Sequence, residues 1–153
     1  MSGKAVLKSN CLILFCELQK AVDNYLKYGH LRGEIQYIDA FLTATIHSFI
    51  DYADGHLDPD KKDDEFNACR YANNILKHNP ALVTHKKTIG GFHFPLEFSA
   101  SEPIVFPKIQ VIWNYDKALT VQSKIQQSAF QTLFAEKPVI DTLQPLVNKI
   151  ELS

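Results

Sequence analysis

The sequence predicts a mainly α-helical protein, a bundle of about five helices with a β-hairpin inserted between the third and fourth helices. Over most of the chain, apolar residues recur every three or four positions, as on the buried side of an amphipathic helix. Between about residues 88 and 114 the spacing changes to every second residue, which is the period of a β-strand. We therefore expect one domain over residues 1–153, with the hairpin at about 88–114.

The first two helices are expected to form an antiparallel pair. They cover about residues 10–28 and 34–54, and a short segment that contains Gly29 and Gly33 joins them. Helices with such a short connection pack side by side. The apolar residues expected to face inward are Leu12, Phe15, Val22 and Leu26 in the first helix and Ile35, Ile38, Leu42, Ile46, Phe49 and Ala53 in the second.

The third helix is expected to run from Asp64 to about Pro80, after a polar loop over residues 55–64. Asp63 or Asp64 is the expected cap, because an aspartate side chain accepts a hydrogen bond from the free N–H groups of a first helical turn. Its expected buried stripe consists of Phe66, Cys69, Ala72 and Leu76.

The hairpin is expected to pair residues 92–98 with residues 105–113, across a turn at residues 99–103. Pro95 and Pro107 each remove a backbone donor, so these strands belong at the edge of a sheet. Two interpretations of the aromatic residues Phe92, Phe94 and Trp113, with His93 among them, stay open. They form a stacking platform for bases, or they pack into the core, which we favour.

Two further helices complete the predicted bundle. The fourth runs from about residue 116 to 137, and the fifth has Pro145 either in its first turn or at a kink. Their expected inward residues are Ala118, Val121, Ile125, Ala129 and Leu133 in the fourth and Ile140, Leu143, Val147 and Ile150 in the fifth.

Composition limits the classes of function. Sixteen basic and seventeen acidic side chains leave a net charge of −1, so any contact with a polyanion must be local. The apolar run at residues 11–16 is too short for a bilayer span or a signal-peptide core. We expect a cytoplasmic protein with no membrane contact and, since the common nucleotide-binding and hydrolase motifs are missing, no cofactor.

The chain has three cysteines, Cys11, Cys16 and Cys69. Their spacing matches neither a metal-binding pair nor a disulfide framework. Because each lies on an apolar stripe and cysteine is often fully buried, we expect three buried free thiols.

The second face of the third helix carries polar residues. Arg70, Asn74 and His78 lie at positions i, i+4 and i+8, and Asn73 precedes Asn74. Histidine, with an ordinary pKa of about 6.5, is suited to take a proton from a ribose 2′-hydroxyl. Arginine offers a planar fork of donors that fits a phosphate. Metal-free RNA cleavage needs both groups, although a solvated helix face would carry the same residues.

This pattern resembles the motif of the HEPN superfamily, helical bundles of which many are ribonucleases in toxin–antitoxin, phage-defence and CRISPR systems. The family motif is an arginine, often followed by a polar residue, and then a histidine after four to six intervening positions. Asn73 to His78 has this spacing, but Asn73 occupies the arginine position and Arg70 lies one turn earlier. The resemblance covers about residues 10–80 and the last two helices, and excludes the hairpin.

The resemblance implies a homodimer in which the motif helices of two copies line one cleft. It implies His78 as general acid or base, Arg70 as phosphate ligand, and Asn73 and Asn74 as orienting donors. Because the arginine is displaced, a non-catalytic relative that binds RNA stays open beside an active nuclease.

Two other clusters contain residue types that can bind a ligand. The basic cluster Lys77, His78, His85, Lys86 and Lys87 is expected at the end of the third helix and in the following loop, where it could bind RNA phosphates. The cluster His47, Asp51, Asp54 and His56 has metal-ligand residue types at helical spacing. We interpret it as a solvated helix end and expect no metal.

The sequence thus predicts an HEPN-like protein that acts in RNA cleavage or RNA binding. The alternative is a non-enzymatic interaction or regulatory module with a protein partner. An exposed hairpin edge favours this alternative, because its unpaired backbone groups are ready to pair with another chain.

Overall fold

The computed structural model describes residues 2–29, 35–58, 63–78, 84–89, 108–115 and 123–153. Its elements, in chain order, are α1 (Gly3–Asn24), which continues as a π-helical turn (Tyr25–Gly29), α2 (Ile35–His56), α3 (Asp64–His78), β1 (Thr84–Ile89), β2 (Lys108–Trp113), α4 (Lys124–Leu133) and α5 (Val139–Leu152). The predicted fold class, a helical bundle with a β insertion between the third and fourth helices, is confirmed.

Side-chain caps fix where three of the helices begin. The Ser2 hydroxyl accepts a hydrogen bond from the Ala5 N–H at 3.2 Å, so α1 begins well before residue 10, where it was predicted. Asp63 Oδ1 accepts from the Glu65 N–H at 3.1 Å, which selects Asp63 from the two predicted caps of α3. Ser123 caps α4 in the same way as Ser2 caps α1. Each cap satisfies a donor that has no partner within its helix.

The core lies between two helix pairs and the β-ribbon. α1 packs along α2, α3 packs along α4 and also against α2, and α5 contacts α1 and α2. Trp113, which is 0% exposed, stacks on Phe134 with ring centroids 5.3 Å apart and meets Phe130 edge-on at 5.6 Å. The core interpretation of Trp113 is therefore confirmed, whereas Phe92, His93 and Phe94 lie outside the described residues.

The β-ribbon begins earlier than predicted. β1 pairs antiparallel with β2, from Thr84 opposite Trp113 to Ile89 opposite Lys108. The predicted first strand at 92–98 lies outside the described residues, as do the predicted turn and Pro107. The placement of residues 85–87 in a loop was wrong, because the backbone of β2 enters the core and its N–H and C=O groups need a partner strand there.

The link between α4 and α5 closes the outer edge of β2 at its end. The Trp113 N–H donates to the Lys137 carbonyl at 3.0 Å, and the Glu136 N–H donates to the Trp113 carbonyl at 2.8 Å. Glu136 has a φ of 64°, a left-handed conformation that is uncommon for a residue with a side chain. These bonds hold β2 to the start of α5.

α4 differs from its prediction in length and in the side that it buries. It covers Lys124–Leu133, and the predicted residues 116–122, with Ala118 and Val121 among them, lie outside the described part of the chain. Ile125 was expected in the core but is 70% exposed. Phe130 faces Tyr71 of α3 at 4.7 Å between ring centroids, and Ile125 lies about 140° around the helix from Phe130. The side of α4 that carries Phe130, and not the side that carries Ile125, is therefore buried.

One cysteine prediction was also wrong. Cys11 and Cys69 are buried, but Cys16 is exposed. The buried side of α1 follows Cys11, Phe15 and Leu18, and Cys16 is turned by about 100° from Phe15. Cys16 instead lines a groove of about 540 Å³ between α1, β2 and the start of α5.

α5 closes the bundle through polar contacts near its end. Lys149 donates to Glu65 Oε2 at 3.0 Å and also to Asp63 Oδ2, which attaches α5 to the first turn of α3. The hydroxyls of Tyr52 on α2 and Ser153 are 2.5 Å apart. Pro145 lies inside α5, beyond its first turn. Within the described ranges, no helix has the length and apolar character needed to span a bilayer.

Candidate functional site

The polar face of α3, defined here as Arg70, Asn73, Asn74 and His78, is the candidate site. The helix buries its opposite side, where the predicted stripe of Phe66, Cys69, Ala72 and Leu76 is fully in the core. Helical periodicity therefore leaves the polar residues outside the core. Asn74 and His78 are exposed, whereas Arg70 and Asn73 are partly buried.

Arg70 forms an ion pair with Asp54 near the end of α2. Nη1 donates to Oδ2 at 3.3 Å, and Nη2 donates to Oδ1. The side chains of Arg70 and Asp54 are 29% and 50% exposed. The pair uses two of the five N–H groups of the guanidinium, and no further side-chain hydrogen bond of Arg70 is formed within the described residues. Arg70 thus has a fixed position and three N–H groups that can donate to a ligand, but the carboxylate of Asp54 balances its charge.

Asn74 contacts the neighbouring helix. Its Nδ2 donates to Gln126 Oε1 on α4 at 3.4 Å. This bond is long for an amide pair, and it leaves the carbonyl oxygen of Asn74 available as an acceptor. The middle of the polar face therefore lies beside the first turn of α4.

His78 and Lys77 are exposed at the last turn of α3. Within the part of the chain that the structure describes, the His78 side chain forms no hydrogen bond or ion pair. The end of a helix carries a partial negative charge from its free carbonyl groups. That charge opposes a phosphate at this point, and the Lys77 ammonium offsets it.

The side chains of Arg70 and His78 do not converge on one point. Eight residues at 1.5 Å per residue separate them by about 12 Å along the helix axis. The guanidinium is directed to Asp54 on α2, whereas His78 faces solvent beyond Asn74. A single α3 face therefore offers donors for successive groups of an extended ligand, rather than two groups around one phosphate.

The remaining residues of the basic cluster lie on β1. His85, Lys86 and Lys87 pair in register with Ile112, Val111 and Gln110 of β2. Their backbone positions follow from this register. The basic cluster thus lies partly at the end of α3 and partly on strand β1. The sequence had predicted a helix end and a loop.

The four residues with metal-ligand chemistry do not converge: two of them pair with each other, and the other two have other partners. His47 Nε2 is 3.3 Å from Asp51 Oδ2, one helical turn away. Asp54 binds Arg70, and the ring of His56 packs against Tyr52 with centroids 5.3 Å apart. Among the residues that the structure describes, no three histidine, cysteine, aspartate or glutamate side chains come together in a geometry suited to a metal ion.

Sequence reasoning missed the partners of the polar face, Asp54 and Gln126. A signal for Asp54 was present, because α2 and α3 flank a short loop and both Asp54 and Arg70 lie within two helical turns of it. In a helical hairpin such positions face each other. No comparable signal exists for Gln126, which comes from an element distant in sequence.

The chain matches no protein-family model, no curated protein and no solved structure. The resemblance to the HEPN superfamily therefore stays a prediction that rests on the residues of α3.

Proposed function

We propose that this chain is an HEPN-like helical protein that binds RNA through the polar face of α3. One observation carries the proposal: Arg70 is held in place by Asp54 while three of its N–H donors are left over. A guanidinium that is already ordered loses less side-chain entropy when it binds a phosphate. Asn74 and His78 extend the same face toward Lys77.

Binding is favoured over cleavage by the spacing on α3. Proton transfer from a ribose hydroxyl requires a base within hydrogen-bond reach of a phosphate that is also held by a cation. Arg70 and His78 are about 12 Å apart along the axis of one helix, which is close to the span of two nucleotides. Cleavage would require the His78 of a second copy beside Arg70, as the HEPN resemblance implies for a homodimer.

The basic cluster supplies further contacts in this proposal. Lys77 and His78 lie at the end of α3, and residues 85–87 follow on β1. Contacts from lysines to phosphates depend strongly on salt, because each releases a bound counterion from the RNA. We therefore expect RNA binding that does not depend on the base sequence and that weakens steeply as the salt concentration rises. A role in toxin–antitoxin or phage-defence systems would follow from the resemblance.

Fluorescence anisotropy with a labelled single-stranded RNA at low salt tests the proposal. Arg70→Gln should weaken binding several-fold. Asp54→Asn should strengthen it, because the amide oxygen still accepts a hydrogen bond that orders Arg70 while the opposing negative charge is removed. Lys8→Gln removes one positive charge from α1 where Lys8 Nζ donates to the Glu151 carbonyl of α5, outside the polar face and the basic cluster, and should leave the affinity unchanged. Equal affinities for wild type, Arg70→Gln and Asp54→Asn would refute a role of this face in RNA binding.

Incubation with a mixed RNA pool separates binding from cleavage. We expect the RNA to stay intact with both wild type and His78→Ala. Products that form with wild type and disappear with His78→Ala would instead assign cleavage to His78. Products that form equally with both proteins would point to a contaminating nuclease.

A second candidate function, a protein-interaction module, is favoured by the β-ribbon. The sheet has two strands, and the end of β2 is closed by the link between α4 and α5. In the described ranges, no strand pairs with the second edge of β1. Such an edge can accept a strand from a partner. Light scattering of the protein co-expressed with its genomic neighbours tests this function, and a tight heteromer without RNA affinity would favour it.

A further inference from the structure

The outer side of α4 forms an open groove that the proposed function does not use. The inner side of the helix packs on α3 through Phe130 and Tyr71. The outer side carries Ile125, whose exposure of 70% is large for an isoleucine. The groove has a volume of about 370 Å³, and its lining includes Asp64, Lys124, Ile125, Ser128, Ala129 and Thr132.

The lining residues of α4 have the spacing of a helix–helix contact. Ile125, Ser128, Ala129 and Thr132 lie at positions i, i+3, i+4 and i+7, which form one stripe along a helix. The two small residues lie in the middle of the stripe, where Ser128 is exposed and Ala129, at 7% exposure, forms the floor of the groove. A second helix can therefore approach most closely at the centre of the groove, while Ile125 contributes apolar area toward one end.

Opposite charges lie at the two ends of the groove. Asn74 and Tyr71 of α3 contact Gln126 and Phe130 of α4, respectively. The two helices therefore run antiparallel, and the start of α3 lies beside the end of α4. Lys124 is at one end of the groove and Asp64 at the other, separated by about 15 Å, the length of α4 estimated from the helical rise.

We propose that this groove docks the same groove of a second copy of the chain, with the two α4 helices antiparallel about a two-fold axis near Ser128 and Ala129. The two-fold axis places Lys124 of one copy beside Asp64 of the other, twice per dimer. A parallel arrangement would bring like charges together. The groove is therefore complementary in charge to the same groove of a second copy, and only when the two α4 helices run antiparallel.

The size of the contact sets the expected affinity. α4 has ten residues and is about 15 Å long, so one helix pair covers less than the roughly 800 Å² per partner of a standard interface. We expect a dimer that dissociates in the micromolar range. The lining includes neither Arg70 nor His78, so this inference stands or falls independently of RNA binding.

Sedimentation velocity of the full chain over a concentration series tests the dimer. Ile125→Glu should weaken self-association at least tenfold, because it places a carboxylate in the apolar part of the contact. Ile13→Glu is the matched control, since Ile13 is 56% exposed on α1, and it should associate like wild type. A wild-type chain that stays monomeric at all concentrations, or a dimer unaffected by Ile125→Glu, would overturn the proposal.

Charge exchange tests the direction of the helices. Lys124→Asp and Asp64→Lys should each weaken the dimer, because each brings like charges together at both ends. The double variant restores opposite charges and should recover association. Circular dichroism checks that every variant keeps its helical content. Loss of the dimer in both single variants without recovery in the double variant would refute the antiparallel arrangement.

Discussion

The guanidinium of Arg70 on α3 lies against the carboxylate of Asp54 on α2, with Nη1 3.3 Å from Oδ2 and Nη2 bonded to Oδ1. The two residues flank the polar loop between these helices, so their contact closes the hairpin that α2 and α3 form. The same contact orders one of the two arginines in the sequence and balances its charge. The effects of the Arg70–Asp54 contact on RNA affinity and on the free energy of unfolding can therefore be measured separately.

The Arg70–Asp54 pair is expected to make only a small contribution to the free energy of unfolding. Because both side chains are partly exposed, a coupling free energy of about 0.5–1 kcal/mol is expected. Urea unfolding of wild type, Arg70→Gln, Asp54→Asn and the double variant measures it as a double-mutant cycle. Additive effects of the two single changes would show that the contact contributes nothing to folding.

The buried tryptophan provides a second prediction. The indole N–H of Trp113 donates to Thr142 Oγ1 at 2.7 Å, and Trp113 is the only tryptophan in the chain. Thr142→Val removes the acceptor and leaves a buried donor unpaired, at a cost of about 1–3 kcal/mol. Unfolding followed by tryptophan fluorescence measures the loss. Thr142→Ser keeps the hydroxyl and should cost less; a cost equal to that of Thr142→Val would mean that the hydrogen bond is unimportant.

The contact of Lys149 with α3 predicts a dependence of stability on pH. Burial alone would lower the pKa of Lys149, but its hydrogen bonds to Asp63 and Glu65 outweigh burial and raise the pKa above its ordinary value. A raised pKa in the folded state stabilises the protein fully below the unfolded pKa, about 10.4. The stabilisation is lost as the pH rises through the folded pKa.

Lys149→Met tests this dependence. The variant should be less stable than wild type at neutral pH by about 1 kcal/mol, and thermal unfolding at increasing pH should show the gap closing above about pH 10.4. Lys4→Met is the control, because Lys4 is exposed on α1 and forms no ion pair within the described residues. A gap for Lys149→Met that persists unchanged to high pH would assign it to lost packing.

The three thiols should differ in reactivity. Burial raises the pKa of both Cys11 and Cys69, whereas Cys16 is exposed on α1. Thiolates react and buried thiols do not, so a thiol reagent should modify one cysteine per folded chain and three after unfolding in denaturant. Mass spectrometry counts the labels. Cys16→Ser should abolish the fast reaction, and labelling of either remaining cysteine in the folded Cys16→Ser variant would contradict the burial of Cys11 and Cys69.

Much of the helical framework was determined by the sequence alone. Each helix is held by bonds between residues four apart, so its period and its caps are local properties. The spacing of Phe66, Cys69, Ala72 and Leu76 therefore predicted the buried side of α3 correctly, and Asp63 was one of two predicted caps. The order of the elements, with a β insertion before α4, follows from the same local patterns.

Tertiary structure decided which residues meet. β1 exists because β2 enters the core and needs a strand beside it, a long-range requirement that the polar residues of β1 do not reveal. Ile125 is exposed because Phe130 of α4 meets Tyr71 of α3, and Arg70 is ordered because the helical hairpin brings Asp54 to it. Local periodicity identifies a polar face, but only packing between distant elements supplies its partners.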